Sequence, residues 1–187
     1  MVKPSVLASD AAPPDLTRSF TVADRLAVAS AALFVAMLAL AAYWDSSIRV
    51  LHAFEAVPYL LAAALIAGRR RYGYILGVAS GTFWLWMAAC LTTFVKNGFQ
   101  RLASLIQTGH VDRWDVFIAV PAALGTGGLV LFSALSYMRS ADKSRMDVVR
   151  FLLTLGVVGA FFVIVFRLFA PQYLRIFGSL LPHALRP

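Results

Sequence analysis

The stretch Val50–Val95, VLHAFEAVPYLLAAALIAGRRRYGYILGVASGTFWLWMAACLTTFV, holds two long apolar runs separated by three consecutive arginines. The first run, Val50–Gly68, carries only His52 and Glu55 among Asp, Glu, Lys, Arg and His residues, and the second, Tyr72–Val95, carries no charge. Crossing about 30 Å of hydrocarbon takes roughly 20 residues of helix, and both runs meet that length. Neither run alternates apolar with polar residues as a lipid-facing barrel strand must. A helix is therefore the structure that satisfies the backbone within each segment. Gly68 closes the first helix, Arg69, Arg70 and Arg71 make the loop, and Tyr72 and Gly73 open the second, which predicts an antiparallel helical hairpin.

Outward from the hairpin, Leu26–Trp44 and Val116–Met138 are further uncharged runs of spanning length. Phe151–Ala170 is a fifth, with Arg167 near its end, where a long side chain snorkels to the headgroups. The fold class expected is an all-α integral membrane protein, a bundle of about five transmembrane helices over residues 21–170. The spans are placed at 22–44, 50–68, 72–95, 115–138 and 150–170. Thr21 followed by Asp24 reads as a capping box that starts the first helix near Val22. Residues 1–20, with Pro4, Pro13 and Pro14 and no signal-peptide core, read as a flexible N-terminal tail. Residues 171–187, with Tyr173, Leu174, Ile176 and Phe177 around Arg175, read as an interfacial C-terminal tail. Between Lys96 and Arg113, Phe99, Leu102, Leu105 and Ile106 recur at helical spacing among polar residues, the pattern of a surface helix.

Composition agrees with a membrane class: 60% of the 187 residues are hydrophobic and 14% charged, with a mean hydropathy of +0.77. The net charge of +8 is carried by basic residues at helix ends, with no aromatic-interleaved basic domain to grip a nucleic acid. Anionic lipid headgroups are its expected partner, with Arg69, Arg70 and Arg71 as contacts. Other membrane subunits or a second copy of the chain are the expected protein partners, and nucleic acid is not. With the N-terminus inside and the C-terminus outside, the inner segments hold Lys3, Arg18, Arg25, Arg69, Arg70, Arg71, Arg139, Lys143, Arg145 and Arg150, ten of the 17 basic residues. The expected location is a multi-pass position in the bacterial cytoplasmic membrane.

Candidate sites come from polar groups at membrane depth. Glu55 is the only glutamate, and at about 1.5 Å per residue it lies roughly 8 Å inside its span. His52, three residues earlier, shares its helical face, so the two can hydrogen-bond or offer nitrogen and oxygen to one cation. With Arg70 taken as the turn, Glu55 falls opposite Leu85 and Trp86, so Trp84, Trp86 and Tyr59 are intramembrane aromatics near it. They line a cavity beside Glu55 or fill the bundle core. Pro58 in the second span, and Pro121 with Gly125, Thr126, Gly127 and Gly128 in the fourth, are expected helix breaks of the kind that border transporter sites. Glycines also let helices approach closely, as Gly77 and Gly81 of the third span are spaced to do.

Several chemistries are excluded. A di-iron bundle needs several glutamates, bis-histidine haem needs a second intramembrane histidine besides His52, and the lone Cys90 allows neither a disulfide nor a CxxC site. A serine dyad would have only Ser80 and His52, and no Walker or Rossmann glycine pattern occurs. No cofactor and no metal are expected. The role expected first is a non-enzymatic accessory subunit of a membrane complex, which predicts a lipid-exposed or partner-covered apolar face and no enclosed cavity. The alternative is a proton- or cation-linked small-solute carrier, which predicts a cavity reaching Glu55 with Trp86 and the Gly125–Gly128 stretch on its wall. A membrane-embedded enzyme with His52 and Glu55 as acid and base is a second alternative.

Overall fold

The computed structural model describes residues 19–90, 92–111, 113–140 and 145–171. Among these, no strand occurs, and five helices are long and apolar enough to cross a membrane. They are α1 (Val22–Trp44), α2 (Arg49–Ala67), α3 (Arg71–Cys90), α6 (Ala119–Met138) and α7 (Met146–Phe169). A 3-10 turn, Ser46–Ile48, joins α1 to α2, and two shorter helices, α4 (Phe94–Thr108) and α5 (Trp114–Phe117), stand between α3 and α6. The long helices alternate in direction. The end of the bundle at which α1 begins is called the near end below, and the opposite end the far end.

Four helices make a closed ring in which α1 packs on α2 and α6, and α3 packs on the same two. α7 lies outside the ring against α3 and α2, held by Phe162 stacked on Phe83 at 5.1 Å and Phe169 stacked on Phe54 at 5.1 Å. Its outer surface, with Leu152, Leu153, Val157 and Ile164, is exposed. Helices this apolar on all sides are held to one another by close van der Waals approach. Glycines supply it. A Cβ on Gly73 would lie 2.6 Å from the Ile66 nitrogen, one on Gly125 3.0 Å from the Phe34 nitrogen, and one on Gly81 2.5 Å from Val130.

The α2–α3 turn is a Schellman motif: Arg70 N–H donates to the Leu65 carbonyl at 2.8 Å and Arg69 N–H to Ile66 at 2.9 Å. Its left-handed residue is Arg69, at φ 55°, while Gly68 stays at φ −76°. The glycine that closes the helix by sequence is thus not the one the geometry would favour at that position.

The expected helix breaks are not where the sequence placed them. α2 runs unbroken through Pro58, and α6 through Gly125, Gly127 and Gly128. The interruption falls earlier, at Ile118 between α5 and α6. Pro121 has no N–H for the carbonyl of Phe117, four residues back, and its ring crowds that carbonyl, so the helix restarts with Pro121 in its first turn, where no N–H is required. Gly125 and Gly128 instead bring α6 against Ser30 and Phe34 of α1, while a Cβ on Gly127 would meet nothing within 4 Å.

The Lys96–Arg113 stretch folds largely as α4, closed by Gly109 in the left-handed conformation at φ 69°. Gly98 seats α4 against Val116 and Ala119, and Phe99 and Ile106 stay exposed. The tails expected over 1–20 and 171–187 lie almost wholly outside the described residues.

Candidate functional site

At the far end a cavity of about 700 Å³ opens among the last turns of α1 and α3, the first turns of α2, the short α5 and Phe166 of α7. It is built by the way the chain reverses after α1. Asp45 accepts from the Ser47 N–H at 2.9 Å and the Ser47 hydroxyl at 2.6 Å, fixing the 3-10 turn, and Arg49 Nε donates to the Ala42 carbonyl at 3.3 Å. That turn starts α2 so that His52 and Glu55 face the cavity. Its apolar walls include Leu38, Leu51, Trp84, Met87 and Phe166, and Trp44, Asp45, Arg113 and Trp114 also border it.

His52 Nδ1 and Glu55 Oε2 are 2.7 Å apart, with the glutamate 4% exposed. One proton shared across that bond makes the pair an imidazole–carboxyl couple whose remaining carboxylate oxygen is available to a cationic or donor group. His52 also borders a shallower groove of about 390 Å³ between α1 and α2, with Tyr43 and Arg49, so it stands between the cavity and the outer surface of the bundle.

Tyr59, one turn below Glu55, is fully buried. Its hydroxyl donates to the Ser80 carbonyl at 3.1 Å and its ring lies 4.2 Å from Phe34, which meets Trp84 edge-on at 5.0 Å. Tyr59 thus supports the cavity from beneath. Trp86 is not brought to the cavity: it is 41% exposed and rests on Phe83 at 5.9 Å. The hairpin register explains this. The contacts of Gly73 with Leu65 and Ile66, and of Tyr59 with Ser80, place Glu55 level with Trp84, about one residue from the estimate that had Arg70 as the turn. One residue is 100° of helix, enough to exchange an inward tryptophan for an outward one. Pro58 lies buried in α2, and Pro121 and the Gly125–Gly128 stretch are on α6 away from the cavity lining.

A second set of buried carboxylates occupies the near end, and the sequence singled out neither as a site. Asp24 closes the capping box with Thr21, whose N–H and hydroxyl both reach Oδ2 at 2.8 Å, and also accepts from the Tyr74 hydroxyl at 2.8 Å, with the Ser136 side chain alongside. Asp147 accepts from Arg71, from the Tyr137 hydroxyl at 2.5 Å and from Arg150 at 3.0 Å. These bonds tie α1 to α3, and α7 to α3 and α6. Arg71 therefore turns into the bundle end, with its guanidinium 5.5 Å from the Tyr137 ring, whereas Arg69 and Arg70 shape the turn itself. Nothing in one sequence reveals that the Tyr74 and Tyr137 hydroxyls meet acids.

Between the two ends, the hydroxyls of Ser80, Thr126 and Ser133 are fully buried and make no hydrogen bond. Thr126 lies beside the Tyr59 phenol without closing a bond to it. Thr92 and Thr154, by contrast, bond the carbonyl four residues back at 3.2 and 2.7 Å. Among the described residues, no three His, Cys, Asp or Glu side chains gather as a metal would require. No family model, no curated protein and no solved structure matches the chain.

Proposed function

We propose that the protein is a non-enzymatic, solute-handling membrane protein whose far-end cavity takes a small amphipathic amine, with Glu55 as counter-charge. The observation that carries this reading is a cavity of about 700 Å³ with a buried carboxylate on its wall, within the volume range of small-molecule sites. Apolar walls suit the body of the solute, Trp84 offers a ring face to a cation, and His52 holds the Glu55 carboxylate in place. Under the positive-inside count, the cavity opens to the outside and the arginine turn lies in the cytoplasm, with Arg69 and Arg70 at the anionic headgroups of a bacterial cytoplasmic membrane.

The test is tryptophan fluorescence of the protein in lipid nanodiscs, titrated with phenethylamine and with the neutral phenethyl alcohol. The amine quenches with saturation in the wild type, and Glu55→Gln weakens it by about tenfold or more while leaving the alcohol unchanged, the loss expected for one charge-assisted bond. Equal, unsaturable quenching by both compounds in both proteins would falsify the reading. An accessory subunit is the second reading, favoured by the exposed apolar face of α7. It expects a particle larger than one 20.4 kDa chain when membranes are extracted directly into nanodiscs.

A further inference from the structure

We propose that the hydroxyls of Tyr59, Thr126, Ser80, Ser133 and Ser136 form a proton route through the bundle, from Glu55 at the cavity to Asp24 at the near end. The proposal deepens the solute reading by making that cavity one end of a proton path, and it starts from the unpartnered hydroxyls in the core. A buried hydroxyl left without a partner costs about 1–3 kcal/mol. A helical serine or threonine escapes this by bonding the carbonyl four residues back, as Thr92 and Thr154 do. Ser80, Thr126 and Ser133 forgo that bond although each is fully buried. All three lie on the seam where α3 meets α6 and α2, and the seam ends in a buried acid at each side.

Their spacing forms a ladder. Tyr59 is one turn from Glu55, and Thr126 lies beside its phenol. α3 and α6 are antiparallel, with Gly77 against Ser133 and Gly81 against Thr126 and Val130, so Ser80 stands at a depth between Thr126 and Ser133. Those two are seven residues apart on α6, roughly 10 Å, so each step by way of Ser80 is roughly 5 Å in depth. Two hydrogen bonds of about 2.8 Å through one water span such a step. Ser136, a turn beyond Ser133, lies beside Asp24, which is held by Thr21 and Tyr74 and is followed by exposed Arg25.

The transfer conserves protons at every oxygen between its ends. A proton from water in the cavity first binds the Glu55 carboxylate; that O–H bond then breaks as the Tyr59 oxygen takes the proton, and the phenolic proton leaves toward Thr126. Each hydroxyl or bridging water gains one proton and gives one up, and an O–H bond forms on the Asp24 carboxylate. No electron moves and no co-reactant is needed. The hydroxyls then rotate back, Tyr59 to the Ser80 carbonyl that holds it at 3.1 Å. At Glu55 the facing charges are His52 on its own helix and Asp45 and Arg113 across the cavity, and a bound amine would add a positive charge beside the donor end.

The full chain is reconstituted in vesicles containing a pH-sensitive dye, and a potassium gradient with valinomycin drives protons across. Wild type acidifies the lumen faster than protein-free vesicles do. Ser133→Ala and Thr126→Val slow the protein-dependent rate by about tenfold, the effect of raising the transfer barrier by one hydrogen bond's worth. Thr154→Val, whose hydroxyl is off the seam and already bonded, conducts as wild type. Ser80→Ala is a further seam variant, and wild-type-like helical circular dichroism and unfolding in mixed micelles show that each variant is folded, whether or not the amine binds. A wild-type rate equal to that of empty vesicles, or seam variants that conduct undiminished, overturns the route. Glu55→Gln conducting as wild type overturns Glu55 as its terminus. Loss of flux in the seam variants of a protein that never binds the amine sinks the solute reading and leaves the route standing.

Discussion

At the far end of the bundle Glu55 meets His52 and borders an open cavity, while at the near end Asp24 and Asp147 each accept three hydrogen bonds, some of them from other helices. A carboxylate has room for about four hydrogen bonds, so the near-end acids are close to saturated and the far-end acid is not. Saturated acids act as clasps. They convert charge, which hydrocarbon would expel, into fixed links between α1, α3, α6 and α7. An acid with unused acceptor capacity facing a cavity is a group that can still meet a ligand. The bundle thus joins a clasped end to an end left open among the same helices.

The largest expected effect comes from opening a clasp. Asp147→Ala strands Arg71 beside Tyr137 with its buried partner gone, a loss of about 3–5 kcal/mol, measured as reversible unfolding in mixed micelles. Glu55→Ala, which leaves His52 next to a cavity that water can fill, loses only about 1–2 kcal/mol. Equal losses at the two ends would break the contrast. Replacing both partners, Arg71→Met with Asp147→Leu, returns most of the stability, because the pair contributes docking chiefly by avoiding an uncompensated charge.

The tryptophans sharpen the same contrast on one helix. Trp84, wedged between Phe34 and the cavity, loses about 3 kcal/mol on change to alanine, toward the lower part of the range for buried aromatics because one side is already open. Trp86→Ala, on the outer surface, stays within about 0.5 kcal/mol. Amine binding follows Trp84 alone. A loss of binding in Trp86→Ala with Trp84→Ala unaffected would reverse the hairpin register on which the site rests.

Much of the architecture was readable because a bilayer imposes length and apolarity on every crossing segment. The uncharged runs and the α1 capping box each depend on residues adjacent in the chain, and they led to α1 at Val22–Trp44 and to the pairing of His52 with Glu55. What was not readable depends on rotation. Which of Trp84 and Trp86 faces inward turns on a single residue of hairpin register. Whether Gly125 breaks α6 or seats it on Phe34 turns on a neighbour distant in sequence. Asp24 was visible as a cap, but its bond to Tyr74 crosses between helices, as do those of Asp147 to Arg71 and Tyr137. Pairings at such separations leave no trace in one sequence, so the near-end clasps and the hydroxyl seam emerged only from coordinates.

The smallest effect tests the turn that brings the clasp together. Arg69 occupies a left-handed conformation at φ 55°, which disfavours any residue with a Cβ by about 1–2 kcal/mol relative to glycine. The two Schellman bonds, Arg70 to Leu65 and Arg69 to Ile66, come from the backbone and survive any side chain but proline. Arg69→Gly therefore relieves strain in the folded turn. It also frees the unfolded chain, since glycine has more backbone states to lose, and the two contributions partly offset. The net gain expected is about 0.5–1 kcal/mol, read by the same unfolding measurement. Arg71→Gly, two residues on, removes the clasp's guanidinium and loses stability instead. If Arg69→Gly also destabilises, the arginine contributes more through its contacts than its backbone gives away, and the near end is held by all three arginines and not by Arg71 alone.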